Sequence, residues 1–169
     1  MFRALGSDVA VWDVDEARAA AVAELLGAHV AASLDDALAA DIVVTVTPGR
    51  DILFPAGSLR EGQHVSLMGA DGPGKAEVAP AELQRADLFC DDWEQASHGG
   101  ELAAGVKAGI VTHARVTELG RVLMGDAEGR RSAEDITLFD STGLAIQDLA
   151  IARAAFAKAD TLDLQRLAL

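Results

Sequence analysis

The sequence predicts an α/β fold built on a doubly wound parallel sheet whose first strand is missing. Three observations carry that expectation. Apolar and β-branched runs of strand length alternate with Ala-rich stretches of helical period, an order that implies parallel strands joined by right-handed crossovers. The clearest run, Asp41-Ile-Val-Val-Thr-Val-Thr47, is apolar on both faces, as expected of a strand inside a helix-covered parallel sheet. Finally, Met1 stands only a few residues before what reads as the second strand, with no strand and glycine-rich turn ahead of it. In the common strand order the first strand lies between the second and the fourth. Its absence should leave a gap in the middle of the sheet, so the chain reads as a fragment.

The elements follow in order. Phe2–Gly6 reads as the stub of a helix leading into a strand at Val9–Trp12. A helix over Glu16–Leu26 is closed by Gly27, where a C-terminal cap belongs. Ala28–Ala31 is a short strand, and Ser33 opens a brief helix to about Ala40, with Asp36 at its third position. The 41–47 strand comes next, then a loop after Pro48-Gly49, a strand at His64–Met68 and the Gly-rich turn Gly69–Lys75. Pro80–Arg85 suits a short helix and Asp87–Cys90 a strand. Trp93–Gly109 is ambiguous, broken by Gly99-Gly100. Thr117–Met124 reads as helix, Ile136–Phe139 as strand and Leu144–Lys158 as a long amphipathic helix; the residues from Asp160 are weakly patterned and read as fraying.

Composition narrows the functional classes. The chain has 169 residues, half of them hydrophobic, enough for one domain with a sizeable core and too ordered a composition for disorder. Fourteen basic residues against 27 acidic ones give a net charge of −13, which repels phosphate backbones and anionic membranes. Nucleic acid is therefore not an expected partner. No apolar run is long enough to cross a membrane, the N-terminus lacks a signal pattern, and the one cysteine, Cys90, cannot form an internal disulfide. A cytoplasmic location is expected. His98 and His113 lack partners at ligand spacing, so no metal site is expected.

Several residues at predicted strand ends have two readings each. Asp13 either accepts hydrogen bonds from ribose hydroxyls or, like Asp15, caps the following helix. A carboxylate in the ribose role would repel a 2′-phosphate and select NAD over NADP. Thr45 and Thr47 share one face at the end of the strongest strand, where such sheets bind ligands, though Thr is also simply a good strand former. Asp71 sits in Gly69-Ala-Asp-Gly-Pro-Gly, a turn that admits close backbone approach to a ligand; Asp and Gly also make ordinary turns. Lys75 either reaches a ligand or is an exposed lysine. The Ser141 hydroxyl either meets a ligand or caps the helix from Leu144, and both roles can coexist. His64 at a strand start is more ordinary as a packing residue. Cys90 reads as small and buried, Trp12 and Trp93 as anchors, and Asp35-Asp36 and Asp91-Asp92 as helix-start charge and solvated surface.

The segments VTVTPGRDILF (44–54), HVSLMGADGPGKAEV (64–78), ADLFCDDWEQASHGGEL (86–102), VTELGRVLMGDAEGR (116–130) and ITLFDSTGLAIQDLAIARAA (136–155) resemble the ornithine cyclodeaminase/mu-crystallin family. The order GxDxPGK, EL, a Gly-Asp turn and LFxSxGxAxxD carries the resemblance. It implies a Rossmann-like fold, incomplete here: a partial NAD-binding domain over 1–143, and over 144–169 a helix and tail that pack on an absent N-terminal domain. It also implies NAD as cofactor, a small amino acid as substrate and a homo-oligomer, a dimer, for the full-length protein. By the same resemblance Asp71 is the catalytic acid/base. Asp13, Thr47, the His64-Val65-Ser66-Leu67 strand, Lys75 and Ser141 lie along the cofactor, and Thr142 faces the substrate. The family's reactions begin with hydride leaving the substrate Cα. A side-chain amine then attacks the imine in cyclodeaminases, and water attacks in alanine dehydrogenases; ketimine reductases belong to the same family. The family's N-terminal half, with its substrate-carboxylate clamp, and its pyrophosphate turn are not in this sequence. The chain alone is therefore expected to be catalytically inert, or else to be a non-catalytic nucleotide-binding remnant.

Overall fold

A computed structural model describes residues 8–47, 51–69, 72 and 74–161, with Asp160 by its backbone alone. Asp71, the Phe2–Gly6 segment and the residues beyond Thr161 lie outside the described residues.

Where the sequence carries its own punctuation, the elements start and stop on it. Strand β1 (Ala10–Val11) leads into α1 (Glu16–Leu26), and the Asp15 carboxylate caps that helix by accepting from the amides of Ala17 and Arg18. Gly27 closes α1 in the left-handed region at φ 60°, a conformation that suits glycine. β2 (His29–Val30) follows, then α2 (Leu34–Leu38), whose cap is the Ser33 hydroxyl accepting from the Asp36 amide. Beyond come β3 (Ile42–Thr45), β4 (His64–Leu67), α3 (Pro80–Arg85), β5 (Asp87–Cys90), α4 (Trp93–Gly99), α5 (Leu102–Lys107), β6 (Val116–Glu118), α6 (Leu119–Met124), β7 (Thr137–Asp140) and α7 (Ala145–Ala157).

The strands form two parallel sheets: a β1-β2 pair and a five-stranded sheet in the order β3-β4-β7-β5-β6. Among the described residues no ladder joins them. The strands thus fall into two separate sheets, the interruption that the sequence led one to expect. The last strand, β7, inserts at the centre between β4 and β5. Val65, Leu67, Leu138, Leu88 and Cys90 from those three strands are fully buried and form the middle of the core with Phe54, Leu59, Leu83 and Leu102. Burying a side chain of that size contributes roughly 1.5–3 kcal/mol.

Three expectations are corrected. The 41–47 run is not a strand covered on both faces: β3 is a sheet edge, with Val43 and Thr45 buried while Ile42 and Val44 face outward. The region read as helix over 117–124 begins instead with strand β6 and turns helical at Leu119. The C-terminal helix is not amphipathic in its surroundings, since every residue of α7 is exposed.

Candidate functional site

The site is built from the carboxyl ends of the parallel strands. The register sets Thr45, Leu67, Asp140, Cys90 and Glu118 in one row across the five-stranded sheet. In open α/β sheets ligands bind just beyond such a row. The chain tightens there. The Met68 amide donates to the Thr45 carbonyl (2.9 Å) and the Ser141 amide to the Leu67 carbonyl (2.9 Å). Gly69, the first residue of the 69–75 turn, lies so close to the Thr47 carbonyl that no side chain fits. The exits of β3, β4 and β7 are thereby fixed to one another.

A chain of buried carboxylates continues the network. The Thr47 hydroxyl donates to Glu77 Oε1. The Glu77 amide donates to both carboxylate oxygens of Glu101 (2.9 Å each), and the Val78 amide donates to Glu101 Oε1 (2.7 Å). Asp140, at the end of β7, accepts from the backbone amides of Leu102 (2.9 Å) and Glu101. Burial pushes both Glu101 and Asp140 up to about 7, outweighing backbone hydrogen bonds that favour the charged form. Three buried oxygens on this network have no hydrogen-bond partner among the described residues: Thr45 Oγ1, Glu77 Oε2 and Asp140 Oδ1. Unpartnered buried polar atoms are costly, and two of the three belong to residues that end strands in the carboxyl-end row, Thr45 and Asp140.

On the other side of β7, Asp91 holds the loop 141–143. Its Oδ2 accepts from the amides of Thr142 (2.9 Å) and Gly143 (2.8 Å) and from the Ser141 hydroxyl (3.3 Å), and its Oδ1 accepts from the Thr142 hydroxyl (2.9 Å). Two readings change in consequence. Ser141 is not the cap of α7, whose N-cap position is Leu144. Of the Asp91-Asp92 pair, Asp92 caps α4 as helix-start charge, whereas Asp91 is an internal tie rather than solvated surface.

The other candidate residues fall in different places. Thr47, Ser141 and Thr142 stand next to the carboxyl-end row; Lys75, half-buried, closes its turn with its amide on the Gly72 carbonyl. Leu67 lies in the row, but Val65 and Leu67 point into the core and can offer a ligand only backbone. His64 starts β4, at the opposite end of the strand, and is held between the hydroxyls of Thr137 (2.8 Å) and Ser66 (3.0 Å). Burial, then the Arg130 charge, lowers its pKa. Asp13, just past β1 in the separate pair, is half-buried and accepts the Asp15 amide on one oxygen (2.8 Å). Cys90 is buried, and desolvation together with neighbouring carboxylates pushes its thiol up to about 12, an unreactive state. Glu77, Glu101 and Asp140 were not singled out from the sequence. The signal for them is their place in GPGKAEV, GGEL and at the end of a strand, where a charged residue has no reason to be buried unless it holds backbone.

A parallel sheet whose strands alternate with helices, with polar groups at the strands' carboxyl ends, is the architecture of a Rossmann-like α/β protein. Residues 4–161 match the model of the ornithine cyclodeaminase/mu-crystallin family, and the chain belongs to that family. It is 43% identical over 129 residues to an alanine dehydrogenase of Archaeoglobus fulgidus, an alignment covering 74% of this chain and 39% of that protein. Among solved structures it resembles an archaeal alanine dehydrogenase dimer with bound NAD, at TM-score 0.85 and 37% identity, over 95% of this chain and 52% of the other. It also resembles the Thermococcus litoralis Δ1-pyrroline-2-carboxylate reductase in complex with NADH and L-proline, at TM-score 0.84 and 25% identity, covering 96% and 53% of the two chains. The chain thus spans about half the length of these relatives.

Proposed function

We propose that the chain is the cofactor-binding portion of an NAD-dependent enzyme of ornithine cyclodeaminase type acting on a small L-amino acid. The observation that carries this reading is the convergence, at the carboxyl ends of β3, β4 and β7 in a chain of this family, of Thr47, Gly69 and the 141–143 loop. The residues fit a dinucleotide at two places. Asp13, with one carboxylate oxygen beyond its bond to Asp15, suits the adenosine ribose hydroxyls. Ser141 and Thr142 suit the nicotinamide end and the substrate, with the backbone of 64–67 alongside. The N-terminus of α1 is closed by the Asp15 carboxylate and offers no place for a pyrophosphate. That group must be held by other residues.

A bound nicotinamide supplies the acceptor for hydride from the substrate Cα. The Asp71 carboxylate holds and returns the proton at the substrate nitrogen, which requires a pKa near working pH. Gly69, the first residue of that turn, packs on the Thr47 peptide, and the Thr47 hydroxyl is held by Glu77. The identity to an alanine dehydrogenase favours a second reading, in which water rather than a side-chain amine attacks the imine. A ketimine reductase would run hydride the other way. Incubated with ornithine or alanine, an enzyme containing this chain would give a cyclic imino acid in the first case and a 2-oxo acid in the second.

The first test is an NADH titration of this chain followed by tryptophan fluorescence, because Trp12 stands next to Asp13. Saturable quenching, weakened about tenfold or more in Asp13→Ala, is expected from the loss of a charged hydrogen-bond acceptor. A folded chain showing no quenching would sink the cofactor reading. NAD reduction by the 169-residue chain with alanine, ornithine or proline would overturn its expected inertness.

A further inference from the structure

We infer that Asp91 sets the hydrogen-bonding polarity of the 141–143 loop, so that its two hydroxyls present acceptor lone pairs to a ligand and select a nitrogen–hydrogen donor there. In the proposed cofactor that donor is the amino group of the nicotinamide carboxamide, so the inference rests on the cofactor reading above.

A carboxylate accepts hydrogen bonds and cannot donate them. Asp91 receives four hydrogen bonds from this loop: two backbone amides and the hydroxyls of both Ser141 and Thr142. Each hydroxyl has one proton, and both protons are committed to Asp91. What remains on Ser141 Oγ and Thr142 Oγ1 is lone pairs. A ligand group that donates meets a partner; a group that only accepts meets lone pairs opposed to its own, with a carboxylate behind them. Loop movement does not easily relieve this. The Ser141 amide is tied to the Leu67 carbonyl, and the Asp91 amide to the carbonyl of Asp140 (3.3 Å). Gly100, against which Thr142 Cγ2 rests, has no room for a side chain (a Cβ there would stand 2.9 Å from that methyl).

The same accounting predicts what Asp91→Asn does. Two backbone amides demand an acceptor at the Oδ2 position, so the Asn carbonyl oxygen takes that place and its NH₂ falls opposite Thr142 Oγ1. Thr142 must then accept from Asn and turn its own proton toward the ligand. The variant keeps both loop amides bound and reverses the polarity of one hydroxyl, while the Asp92 amide, which donates to Oδ1 in the wild type (2.9 Å), loses its acceptor.

The test compares NAD with nicotinic acid adenine dinucleotide, in which a carboxylate replaces the carboxamide, by fluorescence titration of the 169-residue chain. The wild-type chain should bind NAD at least about tenfold more tightly, the size of one charged hydrogen-bond mismatch. Asp91→Asn should narrow that ratio to about threefold or less. Thr142→Val should narrow it as well, since Thr142 is the hydroxyl whose polarity Asp91→Asn reverses. Equal affinities in the wild type, or an unchanged ratio in Asp91→Asn, would overturn the inference. So would a ratio that changes in Asp91→Asn but not in Thr142→Val, since charge repulsion alone would then explain it. If the folded chain binds neither dinucleotide, the cofactor reading itself fails and this inference falls with it.

Discussion

Two glycines of one turn make contrasting demands on the chain. Gly69 packs its backbone on the Thr47 peptide, and an added Cβ would lie 2.9 Å from the Thr47 carbonyl carbon and closer still to its oxygen. Gly72, in the same turn, has open space around it and no left-handed φ. Gly69→Ala should therefore cost about 2 kcal/mol or more, because two strand exits must separate, while Gly72→Ala should stay within about 0.5 kcal/mol. Urea unfolding of both variants checks this, and equal stabilities would show that the exits of β3 and β4 are not locked. The sequence marked this turn as special through its glycines. It did not distinguish their roles, because Gly69's constraint comes from Thr47, on another strand. Asp91 was obscured for the same reason: its partners lie about fifty positions downstream, so the Asp-Asp pair looked like surface charge.

Elements with their own caps were legible. Glu16–Leu26, Pro80–Arg85 and Asp87–Cys90 appear with the bounds that their flanking residues implied. β6 was not, since three residues are too few to show a period of two against an adjoining helical stretch. The ties between elements were also hidden. Glu101 joins the start of α5 to the strand-like exit at Glu77-Val78, and Asp140 joins β7 to α5. Both carboxyl groups are held near 7 in the folded state, above their ordinary values. The folded chain therefore binds more protons than the unfolded one between about pH 4 and 7. The stability these groups contribute is fully present below that window and is lost as pH rises through about 7. Glu101→Gln retains an oxygen for the Val78 and Glu77 amides but cannot ionise. Relative to wild type it should gain on the order of 2 kcal/mol between pH 5 and pH 8, read by urea unfolding at the two pH values. A difference independent of pH would mean that Glu101 ionises in the folded protein as it does in water.

For the whole molecule, the question is what covers its apolar surface. α7 exposes Ile146, Leu149, Ile151 and Phe156, the last at 83% of its area, and β3 turns Ile42 and Val44 outward on the open side of the sheet. Patches of this kind on a protein surface mark interfaces. We propose that α7 and the outer face of β3 pack against a second copy of this chain. The fold class was legible because strand and helix periods alternate along the sequence. These faces were not, because an exposed apolar residue and a buried one look alike in sequence. The net charge of −13 opposes self-association at low ionic strength, and salt screens that repulsion while leaving apolar attraction in place. The chain should therefore elute as larger species as its concentration rises, more so in added salt, by size-exclusion chromatography with light scattering. Phe156→Glu and Ile151→Glu should reduce this association without lowering the melting temperature, since neither side chain is buried in the folded chain. A monomer at every concentration and salt level would show that this surface does not join copies of the chain. Loss of stability in the α7 variants would show instead that the helix packs on its own sheet.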